Sequence, residues 1–194
     1  MNSGIPADSW ALKQIRETSP RLKARIAGAL YLLAVLTAVL GEFFVPGRLG
    51  LAAILIPVSC YIAVTLLLYG IFKPVGKSLC LLAVCFNFAG LTLEALQWQP
   101  RGVNLGMVCH GIYCLLMGYL IFRSTFLPRT LGVLMMFAGL VWVIYLSPSV
   151  ANYLSPYNTA AGILGEALPM LWLLVMGVNV PRWQEMASAT EERQ

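Results

Sequence analysis

Charge is what this sequence has least of. Only 11% of its 194 residues are Asp, Glu, Lys or Arg, while 59% are hydrophobic; a soluble domain carries about 25% charged residues. So little charge cannot cover a water-facing surface, which excludes an ordinary soluble enzyme and leaves an integral membrane protein. Reaction signatures are missing as well. There is no HExxH, no paired carboxylate–histidine helix motif, no GxSxG and no phosphate-binding glycine loop, so no motif announces a chemistry. A disulfide framework is not indicated either. The five cysteines, Cys60, Cys80, Cys85, Cys109 and Cys114, all sit inside apolar stretches, where they read as small buried hydrophobes. The pairs Cys80/Cys85 and Cys109/Cys114 are spaced so that helical partners diverge by about 140°, which defeats chelation by either pair alone.

Long apolar runs are what the chain does have. Six are each long enough to cross about 30 Å of hydrocarbon: about 26–45, 51–72, 78–98, 103–122, 130–146 and 159–180. Between them stand Val45-Pro46-Gly47-Arg48, Lys73-Pro74-Val75-Gly76-Lys77, Gln99-Pro100-Arg101-Gly102, Leu127-Pro128-Arg129 and Ser147-Pro148-Ser149, the proline and glycine punctuation expected between helices. The expected fold is an all-α integral membrane protein, a six-transmembrane-helix bundle with both termini on one side. Residues 1–25 form a basic N-terminal tail, 26–180 the transmembrane domain and 181–194 a C-terminal tail. The tail segment Ser9–Glu17 reads either as a short amphipathic helix or as disordered. It has no apolar core or small-residue cleavage pattern of a leader, so the first span is expected to stay as an anchor. The tetrapeptide LLAV recurs at Leu32–Val35 and Leu81–Val84, and Gly70–Pro74 resembles Gly177–Pro181. These matches raise three related helical hairpins, or chance coincidence among leucine-rich helices.

Basic residues orient the spans, because basic loops stay cytoplasmic. With the N-terminus inside, Lys13, Arg16, Arg21, Lys23, Arg25, Lys73, Lys77, Arg123, Arg129, Arg182 and Arg193 are inside and only Arg48 and Arg101 are outside. The protein is therefore expected in a plasma membrane with both termini cytoplasmic. The net charge of +5 belongs to one face, where it favours anionic lipid headgroups and gives no argument for nucleic acid.

Four ionisable residues lie within the spans: Glu42, Glu94, Glu166 and the single histidine, His110, in the segment Cys109-His110-Gly111-Ile112-Tyr113-Cys114. By helical rise Glu42 is about 6 Å from its outer turn, Glu94 about 9 Å, and His110 and Glu166 about 12 Å, a shared layer in the outer half of the bilayer. Each charge at the bilayer centre costs about 2.5–3.5 kcal/mol on insertion scales, so the groups should face inward and bond to one another. Asn87, Gly90, Glu94 and Gln97 share one helical face, as do Gly162, Glu166 and Pro169. The short loop between spans three and four makes them antiparallel neighbours and lets Glu94 meet His110. The expected acid–base residues are Glu94, His110, Glu166 and Glu42, the binding residues Asn87, Gln97, Tyr113, Tyr31 and Asn158. Any metal would fall to Glu94, His110 and Glu166. The uncharged outer loop 147–158 would cover the pocket.

The segments Arg25–Tyr31, Gly41–Phe44, His110–Tyr113 with Gly118–Arg129, Gly165-Glu166 with Leu171–Leu174, and Gly177–Asn179 resemble the bacterial membrane proteins grouped as domain of unknown function 4386. The resemblance covers nearly all of the chain beyond residue 20 and implies a small polytopic membrane protein, with no mechanism attached. Three functions fit the polar layer. One is an enzyme working on an apolar or lipid-like molecule, with a buried glutamic acid as proton donor and His110 or a second carboxylate as partner. The others are a proton- or cation-coupled carrier and a scaffold whose polar network only specifies packing. Confinement of the polar residues to one layer describes a pocket better than a path, which favours the first. Substrate, cofactor and oligomeric state are not legible.

The basic-residue split has a direct check. Single cysteines placed in the 98–103 loop should react with a membrane-impermeant maleimide on intact cells, and those near Lys73–Lys77 only after permeabilisation. Labelling of the 73–77 positions from outside would invert the topology.

Overall fold

A computed structural model describes residues 19–44 and 50–191, with side chains placed for residues 19–37 and 55–190. Among these the chain is all-helical, with eight α-helices and no strand. They are α1 (Pro20–Phe44), α2 (Gly50–Phe72), α3 (Lys77–Ala95), α4 (Leu105–Arg123), α5 (Arg129–Val143), α6 (Pro148–Leu154), α7 (Tyr157–Val175) and α8 (Val180–Glu191). Five segments, Leu55–Phe72, Lys77–Ala95, Leu105–Arg123, Arg129–Leu146 and Tyr157–Val175, are long and apolar enough to cross a membrane. Helix α1 is longer still at 25 residues. Leu36, Leu66, Leu81, Leu140 and Leu164 all point outward, and contiguous apolar outer faces of this kind belong in lipid rather than water.

The long helices pack in chain order, α1 on α2, α2 on α3, α3 on α4 and α4 on α5. Then α5 meets α7 and α7 returns to α1, closing a ring. Glycine sets the closest contacts. A Cβ built on Gly111 of α4 would stand 2.8 Å from the carbonyl oxygen of Gly139 on α5, and one on Gly132 of α5 only 2.7 Å from that of Gly118 on α4. The two backbones thus touch at two levels, two helical turns apart. Lipid supplies no hydrophobic drive for helix association, so close van der Waals contact of this kind has to provide it. Between α1 and α7 the same role falls to Gly28, whose Cβ would lie 2.6 Å from the Met170 carbonyl oxygen.

Helix ends depart from the lengths of the apolar runs. Helix α1 starts at Pro20 rather than near Ile26, because proline suits a first helical position and the Ser19 carbonyl accepts from Leu22 N and Lys23 N; Arg21, Lys23 and Arg25 are thereby helical. Helix α3 ends at Ala95 rather than Trp98. Gln97 N donates to Glu94 O and Trp98 N to Leu93 O, with Gln97 at φ 49°, which is the left-handed termination that closes a helix. Helix α7 ends at Val175 rather than Val180, with Gly177 at φ 69° and its N–H on Trp172 O. The expected 147–158 loop contains helix α6. The C-terminal segment forms α8, which straps the α2–α3 connection: Trp183 Nε1 donates to Ile71 O (2.8 Å) and Thr190 Oγ1 to Pro74 O (2.9 Å). The Ser9–Glu17 segment and the side chain of Glu42 lie outside the described residues.

The contact geometry separates two glycine substitutions. Gly132→Ala drives a methyl into the α4 backbone and should cost about 1–3 kcal/mol, the usual range for overpacking. Gly70→Ala meets nothing within 4 Å and should be neutral or up to about 1 kcal/mol stabilising through helix propensity. Thermal unfolding of both variants in detergent measures the difference, and equal melting temperatures would contradict the close-contact account.

Candidate functional site

All six long helices send a side chain to one point inside the ring. The centre is Glu166, at the middle of α7 and almost fully buried. Three other helices supply its donors. Tyr31 of α1 donates its hydroxyl to Oε2 (3.0 Å), Trp142 of α5 donates Nε1–H to Oε1, and His110 of α4 places Nε2 at 3.0 Å from Oε1 and 3.2 Å from Oε2. Cys114, one turn beyond His110 on the same face of α4, directs Sγ at Oε1 from 3.5 Å. Glycine again makes room. The Trp142 indole lies against Gly162 of α7, where a Cβ would come within 2.6 Å of the ring, so the missing side chain one turn before Glu166 is what lets the indole N–H reach the carboxylate.

The far side of His110 is held through α3 and α2. Thr65 Oγ1 donates to Tyr61 O (2.7 Å) and so spends its only hydrogen. Its lone pairs accept from Asn87 Nδ2, which turns the Asn87 carbonyl oxygen toward His110 Nδ1 at 3.2 Å. An oxygen acceptor there requires hydrogen on Nδ1. The tautomer is thus assigned by the network, and Nε2 is left to share one proton with Glu166. Aromatic rings wall the imidazole: Tyr61 edge-on at 5.8 Å, Tyr113 tilted at 5.7 Å and Trp142 edge-on at 6.2 Å between centroids. The His110 side chain retains 14% of its exposure against 2% for Glu166, so the imidazole is the reachable member of the pair.

Of the residues singled out from sequence, Glu166, His110, Asn87, Tyr31 and Tyr113 meet at this point. Glu94 does not. It is exposed, its Oε2 lies over Gly106 at the start of α4, and its expected bond to His110 is replaced by that of Glu166. The reason is register: α3 presents Asn87, two turns deeper, to the imidazole, while Glu94 falls near the helix end. Gln97 has left the helix at the left-handed termination and is exposed. Asn158 is buried but ties the start of α7 to α6, donating to Ala151 O (3.2 Å) and accepting from Thr159 N (2.8 Å). Glu42 lies in the last turn of α1, with its side chain outside the described residues. Asn87 and Glu166 sit at mid-helix in α3 and α7, while His110 lies in the second turn of α4 and Trp142 in the last turn of α5. The sequence reading missed Trp142 and Thr65, and placed Cys114 on the same face as His110 without giving it a role at the site. The cysteine had a signal: four residues separate it from His110, a spacing that stacks side chains on one helical face.

Residues 87–177 match the family model described as Domain of unknown function (DUF4386). The matched stretch runs from Asn87 to the glycine that ends α7, and contains every member of the cluster except those on α1 and α2. An uncharacterised protein of Archaeoglobus fulgidus is 28% identical over 127 residues, covering 60% of this chain and 76% of its own. No solved structure matches.

Donor removal at Glu166 should be measurable and coupled. Tyr31→Phe deletes one donor and keeps the ring, and should cost about 1–3 kcal/mol; Trp142→Phe deletes the other donor together with part of the indole packed on Gly162, and should cost more by the cavity it leaves. Because the two share one carboxylate, the double variant should depart from additivity by at least about 0.5 kcal/mol. Denaturation of the four proteins completes the cycle, and strict additivity would mean that the carboxylate is not held as described.

Proposed function

We propose that this chain is a six-span membrane protein with cytoplasmic termini, in which His110 and Glu166 form an intramembrane acid–base pair acting on an apolar or lipid-like molecule. The observation that carries the reading is the Asn87–His110–Glu166 line. Asn87 holds hydrogen on Nδ1, Glu166 faces Nε2, and the imidazole between them keeps partial exposure. A histidine held in one tautomer and paired to a carboxylate can take up or release a proton without reorienting, which is what general acid–base catalysis requires. The depth of the site favours a molecule delivered from the lipid phase over one delivered from water. Tyr31 and Trp142 would hold the carboxylate in place during proton exchange, and Tyr61 and Tyr113 would flank the bound molecule. The sixth span is α1, whose length supports it, and the basic face would lie on anionic lipid headgroups.

A second reading has its own support. Among the described residues no buried side-chain nitrogen or oxygen lacks a partner, as expected of a polar node that only locks six helices into one arrangement.

Glu166→Gln and His110→Gln separate the two. Reconstituted into vesicles of total bacterial lipid, the wild-type protein should change the lipid or small-molecule profile read by mass spectrometry. Both variants should lose that change while melting within a few degrees of wild type. Variants that unfold early, together with an unchanged profile for the wild type, would leave the packing node standing and end the acid–base reading.

A further inference from the structure

Cys114, His110 and Glu166 place three metal-ligating atoms within 4.8 Å of one another, on two helices and deep in the ring. Their separations are specific. Sγ to Nε2 is 3.6 Å, Sγ to Oε1 is 3.5 Å and Nε2 to Oε1 is 3.0 Å. A tetrahedral zinc ion with Zn–S of about 2.3 Å and Zn–N and Zn–O of about 2.0–2.1 Å spaces its ligands by about 3.5 Å for the two sulfur edges and about 3.3 Å for the nitrogen–oxygen edge. The three atoms therefore already trace one face of a zinc tetrahedron to within a few tenths of an ångström.

Two further observations point the same way. The first is the tautomer. Metal binding through Nε2 needs a neutral imidazole with hydrogen on Nδ1, and Asn87, itself anchored on Thr65, imposes that form from the side away from the ligand triangle. Outer partners of this kind orient metal-bound histidines and raise their basicity. The second is charge. A divalent ion inside an apolar bundle has to be neutralised locally, and thiolate plus carboxylate plus neutral imidazole gives a total ligand charge of minus two. Loading displaces two protons, that of the Cys114 thiol and the one shared between His110 and Glu166, so the centre is neutral before and after.

We propose that Cys114, His110 and Glu166 form an intramembrane site for a thiophilic divalent transition metal, zinc above all, with the fourth position open. Sulfur and imidazole select zinc over magnesium and calcium, which prefer all-oxygen shells. Tyr31 Oη donates to the other carboxylate oxygen, Glu166 Oε2 (3.0 Å), and the Trp142 indole donates to Oε1 itself, whose second lone pair is left for the metal. An open position on such an ion polarises a bound water or carbonyl. The site shares His110 and Glu166 with the acid–base reading, whose shared proton the metal would replace, and adds Cys114; metal uptake is read without reference to turnover, so the two readings fail separately.

Cobalt(II) is the probe, because a thiolate ligand announces itself by a near-ultraviolet charge-transfer band and tetrahedral geometry by strong visible bands. Purified full-length protein, stripped with chelator in detergent, should take up one cobalt per chain with both features and release it to zinc. Cys114→Ala should lose the charge-transfer band, and Asn87→Ala should weaken binding by about 10–100-fold. Absence of the band in the wild type, or its persistence in Cys114→Ala, overturns the site, and the wild-type spectrum decides even if a variant fails to fold. Lack of cobalt uptake alongside lost turnover in Glu166→Gln removes the metal and leaves the acid–base pair in place.

Discussion

A carboxyl group at the middle of an apolar helix has to be met by donors, and the rest of this structure is arranged to meet that demand. Stripping a charged group of water without replacing its hydrogen bonds costs several kcal/mol, a large share of the stability a protein of this size possesses. Glu166 is met by Tyr31, His110, Cys114 and Trp142, drawn from α1, α4 and α5. Helix α7 must then touch both α1 and α5 while α4 stays within reach, and a closed ring is the arrangement that provides this. The polar centre and the ring order are one constraint seen from two sides.

Glycine carries that constraint into the backbone. The contacts at Gly111/Gly139 and Gly118/Gly132 bring α4 and α5 together along much of their length, which fixes the distance between His110 and Trp142. Gly162 then admits the indole against α7. Side chains one methylene larger at these positions would hold the helices apart by more than a hydrogen bond can span. The chemistry of the centre thus depends on residues with no chemistry of their own.

Much of this was legible beforehand, and the exceptions have physical causes. Apolar runs located the helices because bilayer thickness sets their length, and proline and glycine marked the connections. His110 and Glu166 stood out because an ionisable group in such a run is costly enough to need a reason. Glu94 met the same criterion but does not meet His110, since rise along a helix gives depth but not the rotation and sliding that decide which neighbour is met. Asn87, neutral and less conspicuous, holds the imidazole instead. Gln97 left its stripe because a left-handed termination cannot be seen in hydropathy. Trp142 and Thr65 were invisible for a related reason: each looks apolar enough to belong to its span, and Trp142 matters through one N–H and Thr65 through the one oxygen that accepts from Asn87. Cys114 shares the helical face of His110 by its spacing, but spacing alone does not show that its thiol reaches a carboxylate on another helix.

The position of Glu166 in the last long helix has a meaning for how the protein is made. Tyr31, His110, Cys114 and Trp142 all precede it in the chain, so during synthesis the donors are made before their acceptor. Helix α7 is also the least apolar of the five recognisable spans, the one that lipid alone would accept least readily. The earlier helices carry the N–H and O–H groups that its carboxylate needs, so this span joins the bundle through hydrogen bonds more than through apolarity, and α8, next in the chain, fastens across the α2–α3 connection.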